Sequence, residues 1–479
     1  MNFPYFFLLV SFLCPFMEAQ SVQYYFGNLH AHTGFSDGNK DSALSHAWSP
    51  ADAYAYAKKS LHFDFLGIAE HNHYSAPKNP GFKKQNYQVG LLMANTATQN
   101  GKFAALFGME WGVSSAFNGH VIIYGFPQLI GWEPSVPGVS GNNYEVFNDK
   151  NDYDALFKKV IGQTACFAYL AHPNFTNYSS NGSADGSLAN GSYIADYDSA
   201  IVGVPLRSGL AFSTDSMYRD FPLGDYFSYY KKMLFLGYHV GIGYDHDNHY
   251  TTFGRNNAGR LVVLSTELSP AAIVSAIKQR RFYGSDDWNA KIDFRLNGKL
   301  MGSIVNGAHY PDLGVMHADD DGEMADSIKI WKGTKNEGYL WAEVIHTALN
   351  SNVLAYTDSA VSLGKEYYYF VEIKQKDGDW IVTSPIWFKA LAPLGAARRV
   401  TEIDLRVFPN PTDNVLRVCT SNYDRYRIEI TTLCGEVLLV RDFNAYSTDL
   451  SVTHLPAGAY MLNLYASNGL IERRVVLRL

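Results

Sequence analysis

The first half of the chain carries histidines and carboxylates in short, regularly spaced clusters. Of the 15 histidines in the sequence, 11 fall between His30 and His249. Imidazole and carboxylate groups are the ligands that hold divalent zinc, manganese or iron while leaving a position open for water. The clusters therefore predict a hydrolytic metal site, with candidate residues His30, His32, Asp37, Glu70, His71, Glu110, His120, His172, Asp245, Asp247 and His249.

The elements that position these residues can be predicted from the apolar runs in front of them. The candidate ligands follow runs typical of buried strands, at residues 22–29, 63–69, 103–109, 165–171 and 240–244. His30 and His32 are two residues apart, so on an extended segment both side chains point to the same side. Residues 49–59 predict a helix with a serine cap and a proline in its first turn. Strands alternating with helices favour an α/β fold, and β/α barrels build active sites at the carboxyl ends of their strands.

Taken in order, the clusters form an H-x-H followed by Ser36-Asp37-Gly38, an E-H dipeptide, a lone glutamate, two separated histidines and a closing D-x-H. This ordered set resembles the PHP (polymerase and histidinol phosphatase) family over residues 21–285. The resemblance implies a distorted, seven-stranded TIM-like β/α barrel that binds two or three divalent metal ions (zinc, manganese or iron). Carried over by position, it implies a first ion at His30, His32 and Asp247, a second at His120 and His172 with Glu110 bridging, and a third at Asp37, His71 and His249.

Two positions depart from the commoner family pattern. Asp37 stands where some members have a histidine, and Glu70 stands where aspartate is commoner, so we expect Glu70 to orient a neighbouring ligand. In the closing cluster, Asp245 and Asp247 both offer ligand spacing, and spacing alone leaves the choice open. The D-x-H of the family favours Asp247 with His249, and makes Asp245 and the residue after it supports for the ligands.

The chemistry expected of such a site is hydrolysis. A water that bridges two cations has its pKa lowered toward neutrality and supplies hydroxide as the nucleophile, while a third cation can bind a phosphoryl oxygen. The essential catalytic residues are expected among the metal ligands, at Glu110, His71 and Asp247. Because guanidinium matches the geometry of phosphate, three arginines are candidates for substrate binding, although each suits an ordinary surface position equally well. These are Arg207, Arg255 and Arg260.

The clusters and the resemblance together predict a metal-dependent phosphoesterase that hydrolyses the phosphate mono- or diester bond of a small phosphorylated substrate. Two alternatives stay open. The same hydroxide could attack a carbamate, amide or carboxyl ester bond, or the region could be a non-enzymatic, metal-supported binding module. A net charge of −7 argues against dedicated nucleic-acid binding, which favours a basic face.

Both ends of the chain predict export. Residues 1–20 contain an apolar run of signal-peptide length, and no later segment reaches the roughly 18 apolar residues of a transmembrane helix, so none is expected in the mature protein. Pro409-Asn410-Pro411, a Leu-x-x-Gly-x-Tyr motif at 455–460 and short strands over 400–479 resemble the C-terminal sorting domain of the type IX secretion system of Bacteroidota. The resemblance implies the type IX machinery as a partner, and a secreted or cell-surface-attached protein.

Residues 286–390 predict a separate β-sandwich, because aromatic and β-branched runs such as 367–380 end in tight turns. Within this segment the acidic loop 319–323 offers calcium ligands. It lacks the closing glutamate of an EF-hand, so we expect a solvated loop there.

Overall fold

The computed structural model describes residues 22–73, 82, 84–133, 143–307, 310–338, 341–391, 405–420, 425–433, 435–444, 447–466 and 469–479. The predicted signal peptide, residues 1–20, lies outside the described residues. The helices are α1 (Ser42–Ser45), α2 (Pro50–Ala57), α3 (Lys84–Ala97), α4 (Tyr153–Ile161), α5 (Ala195–Ala200), α6 (Phe227–Leu236) and α7 (Pro270–Lys278). None of the helices in these ranges is long and apolar enough to cross a membrane.

Local sequence explains where two of these helices form. The predicted helix at 49–59 is confirmed as α2, where Ser49 and Asp52 cap the amino terminus reciprocally and Pro50 occupies the first turn. In α4, every buried residue lies on one face at helical spacing, which is the pattern of an amphipathic helix on a sheet. These buried residues are Tyr153, Leu156, Phe157 and Val160.

Five of the strands that the structure describes in the metal-cluster region lie where the apolar runs predicted them, and six others were not predicted. The strands are β1 (Gln23–Asn28), β2 (Phe65–His71), β3 (Ala104–Trp111), β4 (Val121–Tyr124), β5 (Ile130–Gly131), β6 (Val146–Phe147), β7 (Phe167–Leu170), β8 (Ile201–Pro205), β9 (Gly241–Gly243), β10 (Arg260–Ser265) and β11 (Phe282–Ser285). The predicted ones are β1, β2, β3, β7 and β9. Neighbours in the main sheet run in the order β11-β10-β1-β2-β3-β4-β7-β8-β9. Both faces of this sheet are buried, one under α2, α3, α4 and α6 and the other around Phe65, Ile122, Tyr169 and Val263.

The predicted fold class, a TIM-like α/β barrel, is wrong. A TIM barrel is parallel throughout, whereas the pairs β1–β10, β3–β4 and β4–β7 are antiparallel. Strand accounts for 39% of the structure and helix for 15%. Apolar runs mark where strands form but carry no information on their direction, and that is where the barrel prediction failed.

The main sheet continues beyond β11 into the middle of the chain. The strands there are β12 (Lys291–Leu296), β13 (Lys299–Leu300), β14 (Ile304–Gly307), β15 (Asp312–Ala318), β16 (Ala325–Thr334), β17 (Glu343–Leu349), β18 (Val353–Thr357), β19 (Glu366–Gln375), β20 (Trp380–Thr383) and β21 (Ile386–Ala390). β11 pairs with β20, which joins the metal-cluster strands to β19, β21, β14, β16 and β17. A second sheet, β13-β12-β15-β18, packs on this extension through an apolar core that includes Phe294, Ile330 and Val371.

The C-terminal strands form two further sheets around a core of their own. They are β22 (Arg406–Phe408), β23 (Val415–Cys419), β24 (Arg425–Thr432), β25 (Val437–Asn444), β26 (Ser447–Ser451), β27 (Gly458–Ala466) and β28 (Gly469–Arg478). The sheets are β22-β23-β26 and β25-β24-β27-β28. Leu416, Ile428, Leu450 and Leu462 fill the space between them.

Candidate metal centre

The order and direction of the strands bring the histidine clusters to one edge of the main sheet. β1, β2 and β3 are parallel, so their carboxyl ends share this edge. β4 is antiparallel to β3, which places its first residue there, and β7, antiparallel to β4, ends there again. β8 and β9 are parallel to β7. The candidate ligands therefore meet although they lie up to about 220 residues apart: His30 and His32 after β1, His71 ending β2, Glu110 in β3, His120 before β4, His172 after β7 and Asp247 and His249 after β9.

One group of ligands surrounds a single oxygen of Glu110. The Nε2 atoms of His30 and His32 each lie 3.2 Å from Glu110 Oε2. The same two nitrogens lie 3.2 Å and 3.1 Å from Asp247 Oδ1. Both histidines and Glu110 are completely buried. This is the set that the resemblance to the PHP family implied for a first ion, with the bridging Glu110, and the structure brings all of it together.

Backbone pairing explains how Asp247 reaches the H-x-H segment. The Asp247 N–H donates to the His30 carbonyl at 2.8 Å, and the His32 N–H donates to the Asn248 carbonyl at 3.1 Å. Asp247 has a φ of 50°, in the left-handed region that non-glycine residues seldom adopt. Strain of this kind persists only where the surroundings impose it, and it is common at functional sites.

The second oxygen of Glu110 faces a second pair of histidines. Glu110 Oε1 lies 2.9 Å from His120 Nδ1 and 3.1 Å from His172 Nε2. The two oxygens of one buried carboxylate are therefore divided between two sets of imidazoles. This is the arrangement required of a ligand that bridges two ions.

A third group lies on the other side of His32. One oxygen of Asp37 is 3.6 Å from His249 Nε2, and its other oxygen is 4.0 Å from His71 Nε2. Donor atoms of His32, Asp37, His71 and His249 lie within 4.8 Å of one another. His71 also points its Nδ1 at Glu110 Oε2, at 3.1 Å, and so stands between the first and third groups.

The hydrogen-bonding state of these atoms indicates that they fit metal ions. Buried polar atoms in proteins almost always have a hydrogen-bond partner, because leaving one unpaired costs about 1–3 kcal/mol. Here several buried atoms that converge on the same points have none. They are His30 Nε2, Asp37 Oδ1, His71 Nδ1, Glu110 Oε2 and both ring nitrogens of His120. Divalent cations at these points would satisfy the lone pairs that the protein leaves open.

Two further carboxylates contact the ligands or the segment that carries them. Asp245 Oδ2 lies 3.3 Å from the Nδ1 of His30, the nitrogen opposite the one that faces Glu110. Glu70 accepts a hydrogen bond of 3.1 Å from the Thr33 backbone N–H and further bonds from the hydroxyls of Thr33 and Ser36. Burial raises the pKa of Glu70 to about 7, against these hydrogen bonds, which lower it. Asp245 therefore contacts His30 itself and Glu70 bonds to the segment between His32 and Asp37, while their role in orienting metal ligands stays a prediction.

His246 and His73 occupy contrasting positions. His246 points away from the cluster and bonds through Nε2 to the Gly259 carbonyl at 2.8 Å. His73, which was not among the candidate ligands, lies in a compact group with His71 and His120. The only sequence signal for His73 is its spacing of two residues from His71.

The electrostatics favour an ionised Glu110 and a neutral His249, but not every imidazole of the group is neutral. Burial lowers the pKa of His32, yet hydrogen bonds with Asp247 and Glu110 prevail and raise it to about 10. Burial alone would raise the pKa of Glu110, but the neighbouring His120, His30 and His71 hold it well below its usual range. Burial, reinforced by His32, lowers the pKa of His249 to about 4. A carboxylate and a neutral imidazole are the protonation states in which these groups bind metals.

The three candidate arginines have other partners. Arg207 is buried and pairs with Asp286, at 2.8 Å from its Nε. Arg260 is fully buried and donates to five backbone carbonyls, among them those of Leu61 and His62. Arg255 donates to the Ser60 hydroxyl and a neighbouring carbonyl. Their guanidinium groups bind these partners within the fold, and the structure does not bring them to the histidine cluster.

His239 lies outside the centre and links two parts of the structure. Its Nδ1 is 2.8 Å from Asp198 Oδ2 in α5, and its Nε2 is 3.5 Å from Glu366 Oε1 in β19. Burial lowers the pKa of His239, but hydrogen bonds with these two carboxylates prevail and raise it to about 9.

A known family matches the C-terminal strands, whereas the similarities to solved structures are weak. No curated protein matches the chain. The solved structures that share features with it include the FN1–FN3 domains of chicken CNTN1 (14% identity, 39% of this chain and 66% of that chain, TM-score 0.15) and the fibronectin(III)-like modules of Clostridium thermocellum CbhA (12%, 39% and 94%, TM-score 0.14). A biofilm associated protein BSP domain is similar at 11% identity, over 40% of this chain and 30% of that chain, with a TM-score of 0.19. At TM-scores this low, the similarities decide nothing about fold or activity.

The family comparison concerns the C-terminal strands. Residues 406–478 match the secretion system C-terminal sorting domain. The matched segment holds β22 to β28 and none of the histidine clusters, so the resemblance to the PHP family rests on the motifs and their geometry. The chain carries a type IX sorting domain, and the protein is secreted or attached to the cell surface.

Proposed function

We propose that the protein is an exported, metal-dependent hydrolase acting on phosphate mono- or diesters. The observation that carries the proposal is the division of the two Glu110 oxygens between two sets of imidazoles. A buried carboxylate shared in this way suits a site for at least two cations. The ordered motifs that resemble the PHP family point to the same class of enzyme.

The residues present suggest where the ions would bind. His30, His32 and Asp247 would hold one and His120 with His172 another, and Glu110 would serve both. Asp37, His71 and His249 would hold a third ion. When bound, such cations activate water as a nucleophile and neutralise negative charge that develops on a phosphoryl group.

The rim of the centre supports a small anionic substrate. Lys40 Nζ lies 3.3 Å from Asp37 Oδ2, so a cationic side chain stands beside the third group of ligands. Phe212 packs on the ring of His249, with centroids 4.7 Å apart, and is 66% exposed. A positive charge next to an exposed aromatic ring suits an organic phosphate, whose charged end would face Lys40 and the ligands.

Metal analysis combined with a substrate panel tests the proposal. The mature chain would be assayed for bound zinc, manganese and iron, and then with aryl phosphate monoesters, diesters, carboxyl esters and amides. We expect phosphate or phosphomonoester release that requires the metal and is lost on chelation. Turnover of only the ester or amide substrates would move the protein to the alternative hydrolase class. Full metal content without any turnover would favour a binding module.

A further inference from the structure

A second cluster of oxygen ligands lies outside the histidine centre. Asp287 follows β11, and Asp319 and Glu323 lie in the loop between β15 and β16. One carboxylate oxygen from each lies within 4.8 Å of the others. From the sequence we expected a solvated loop at 319–323, because the loop lacks the closing glutamate of an EF-hand; its partners Asp287 and Gln375 lie on other segments.

One buried amide side chain points into this cluster. Gln375, at the end of β19, is 2% exposed, and its Nε2 lies 2.9 Å from Asp287, 3.4 Å from Asp319 and 3.2 Å from Glu323. Its Oε1 has no hydrogen-bond partner. Asn289, which is fully buried beside it, donates its backbone N–H to Asp287 and its Nδ2 to Asp321, outside the three-carboxylate group. A half-turn of the Gln375 carboxamide exchanges its nitrogen and oxygen, and would present a fourth oxygen to the three carboxylates.

The local charge is unbalanced. Three carboxylates, those of Asp287, Asp319 and Glu323, share the cluster. The carboxylate of Asp377 adds a further negative charge beside Glu323. The ammonium of Lys291 is engaged with Asp320, 2.6 Å away on the outer side of the loop. Carboxylates that crowd together in this way are stabilised by a cation between them.

We propose that Asp287, Asp319, Glu323 and Gln375 form a calcium-binding site. The donors are all oxygens, the preference of hard cations, whereas zinc and iron favour the imidazole-rich centre. Four protein oxygens leave room for water in the flexible coordination shell that calcium tolerates better than magnesium. Calcium sites of extracellular modules bind with dissociation constants of about 10⁻⁴–10⁻³ M, which suits an exported protein.

The position of the site suggests what calcium would do. The ligands come from the segment after β11, the β15–β16 loop and the end of β19. β11 pairs with β20 at the same place, where the metal-cluster strands join the middle of the chain. Asp286, next to Asp287, accepts hydrogen bonds from Arg207 and from the Trp380 N–H. Calcium would therefore brace this junction from outside the histidine centre.

Calcium titration of the mature chain tests the site. We expect millimolar calcium chloride to raise the melting temperature by roughly 2–4 °C, with a calorimetric midpoint of about 0.1–1 mM. Asp319→Asn should weaken calcium binding at least about tenfold, since it removes one of three charged ligands. Asp320→Asn is the matched control, because Asp320 is in the same loop but pairs with Lys291, and it should bind calcium like the wild type.

Three outcomes would overturn the proposal. One is the absence of calcium binding in the wild-type protein, and another is an equal response of Asp319→Asn and Asp320→Asn. The third is equal stabilisation by magnesium chloride, which would indicate screening of the acidic cluster. Should Asp319→Asn fail to fold, Asp287→Asn gives the same comparison from the opposite segment.

Discussion

Glu110→Gln is the substitution that probes the metal centre most directly. It keeps the size of the side chain but leaves one oxygen and one NH₂ group, and an NH₂ group cannot act as a ligand. In the wild type, Glu110 Oε1 faces His120 and His172 at 2.9 Å and 3.1 Å, while Oε2 lies 3.2 Å from His30 and His32. Whichever way the amide turns, one of the two sets loses its shared ligand. We expect the loss of at least one ion per chain.

The expected effect on turnover follows from the charge. Stabilisation of the transition state by a positioned cation amounts to several kcal/mol, and each 1.36 kcal/mol is a factor of ten in rate. Losing about 4 kcal/mol lowers kcat roughly 10³-fold. Metal content per chain and kcat on the best panel substrate are the measurements, with Glu267→Gln, an exposed glutamate, as the control. Wild-type metal content and turnover in Glu110→Gln would refute the shared-carboxylate assignment.

Three further perturbations test other parts of the structure. Asp247→Ala should lose metal and activity by several orders of magnitude, whereas Asp245→Ala, which removes only the support for His30, should cost about 10–100-fold; the reverse ranking in metal analysis would exchange their roles. Deleting residues 400–479 should leave activity intact but keep the protein in the periplasm of its native host, and normal export of the truncated chain would exclude the sorting role. The raised pKa of His239 stabilises the fold at low pH, and this contribution is lost as pH rises from about 6.5 through about 9. The free energy of unfolding, measured by denaturation at about pH 6.5 and about pH 9, should fall by about 2 kcal/mol across this window in the wild type but not in His239→Gln. Parallel pH profiles of the two proteins would count against this role of His239.

The positions of the elements were predictable because they depend on local sequence. β1, β2, β3, β7 and β9 lie within a few residues of the predicted apolar runs, and the capping residues of α2 stand where a serine and a proline marked them. The antiparallel course of β4 and β10 was not predictable in this way. Strand direction is decided by the connections and by long-range packing. A residue between two apolar runs, such as His120, suits either the end of one strand or the start of the next.

The candidate ligands lie together although the predicted fold class was wrong, and the reason is geometric. Reversing β4 moves its amino-terminal end to the edge where β3 ends, and His120 precedes β4 instead of following it. A parallel β4 would have carried its ligand after the strand. The reversal of β4 is offset by the placement of its ligand before the strand and not after it. The same residue types therefore meet at the same edge of the sheet in both arrangements. The order of motifs therefore constrains the site more tightly than it constrains the fold.

The two candidate metal sites differ in how visible they are in the sequence, and residue frequency explains the difference. Histidine occurs 15 times in the chain, so 11 of them in ordered clusters stand out. Aspartate and glutamate occur 46 times, mostly for solubility. An oxygen site formed by Asp287, Asp319 and Glu323 with Gln375 therefore does not stand out in the sequence. Only the burial of Gln375 and its unpartnered oxygen separate this cluster from an ordinary acidic loop. A site built from common residue types on distant segments becomes recognisable once the fold has brought them together.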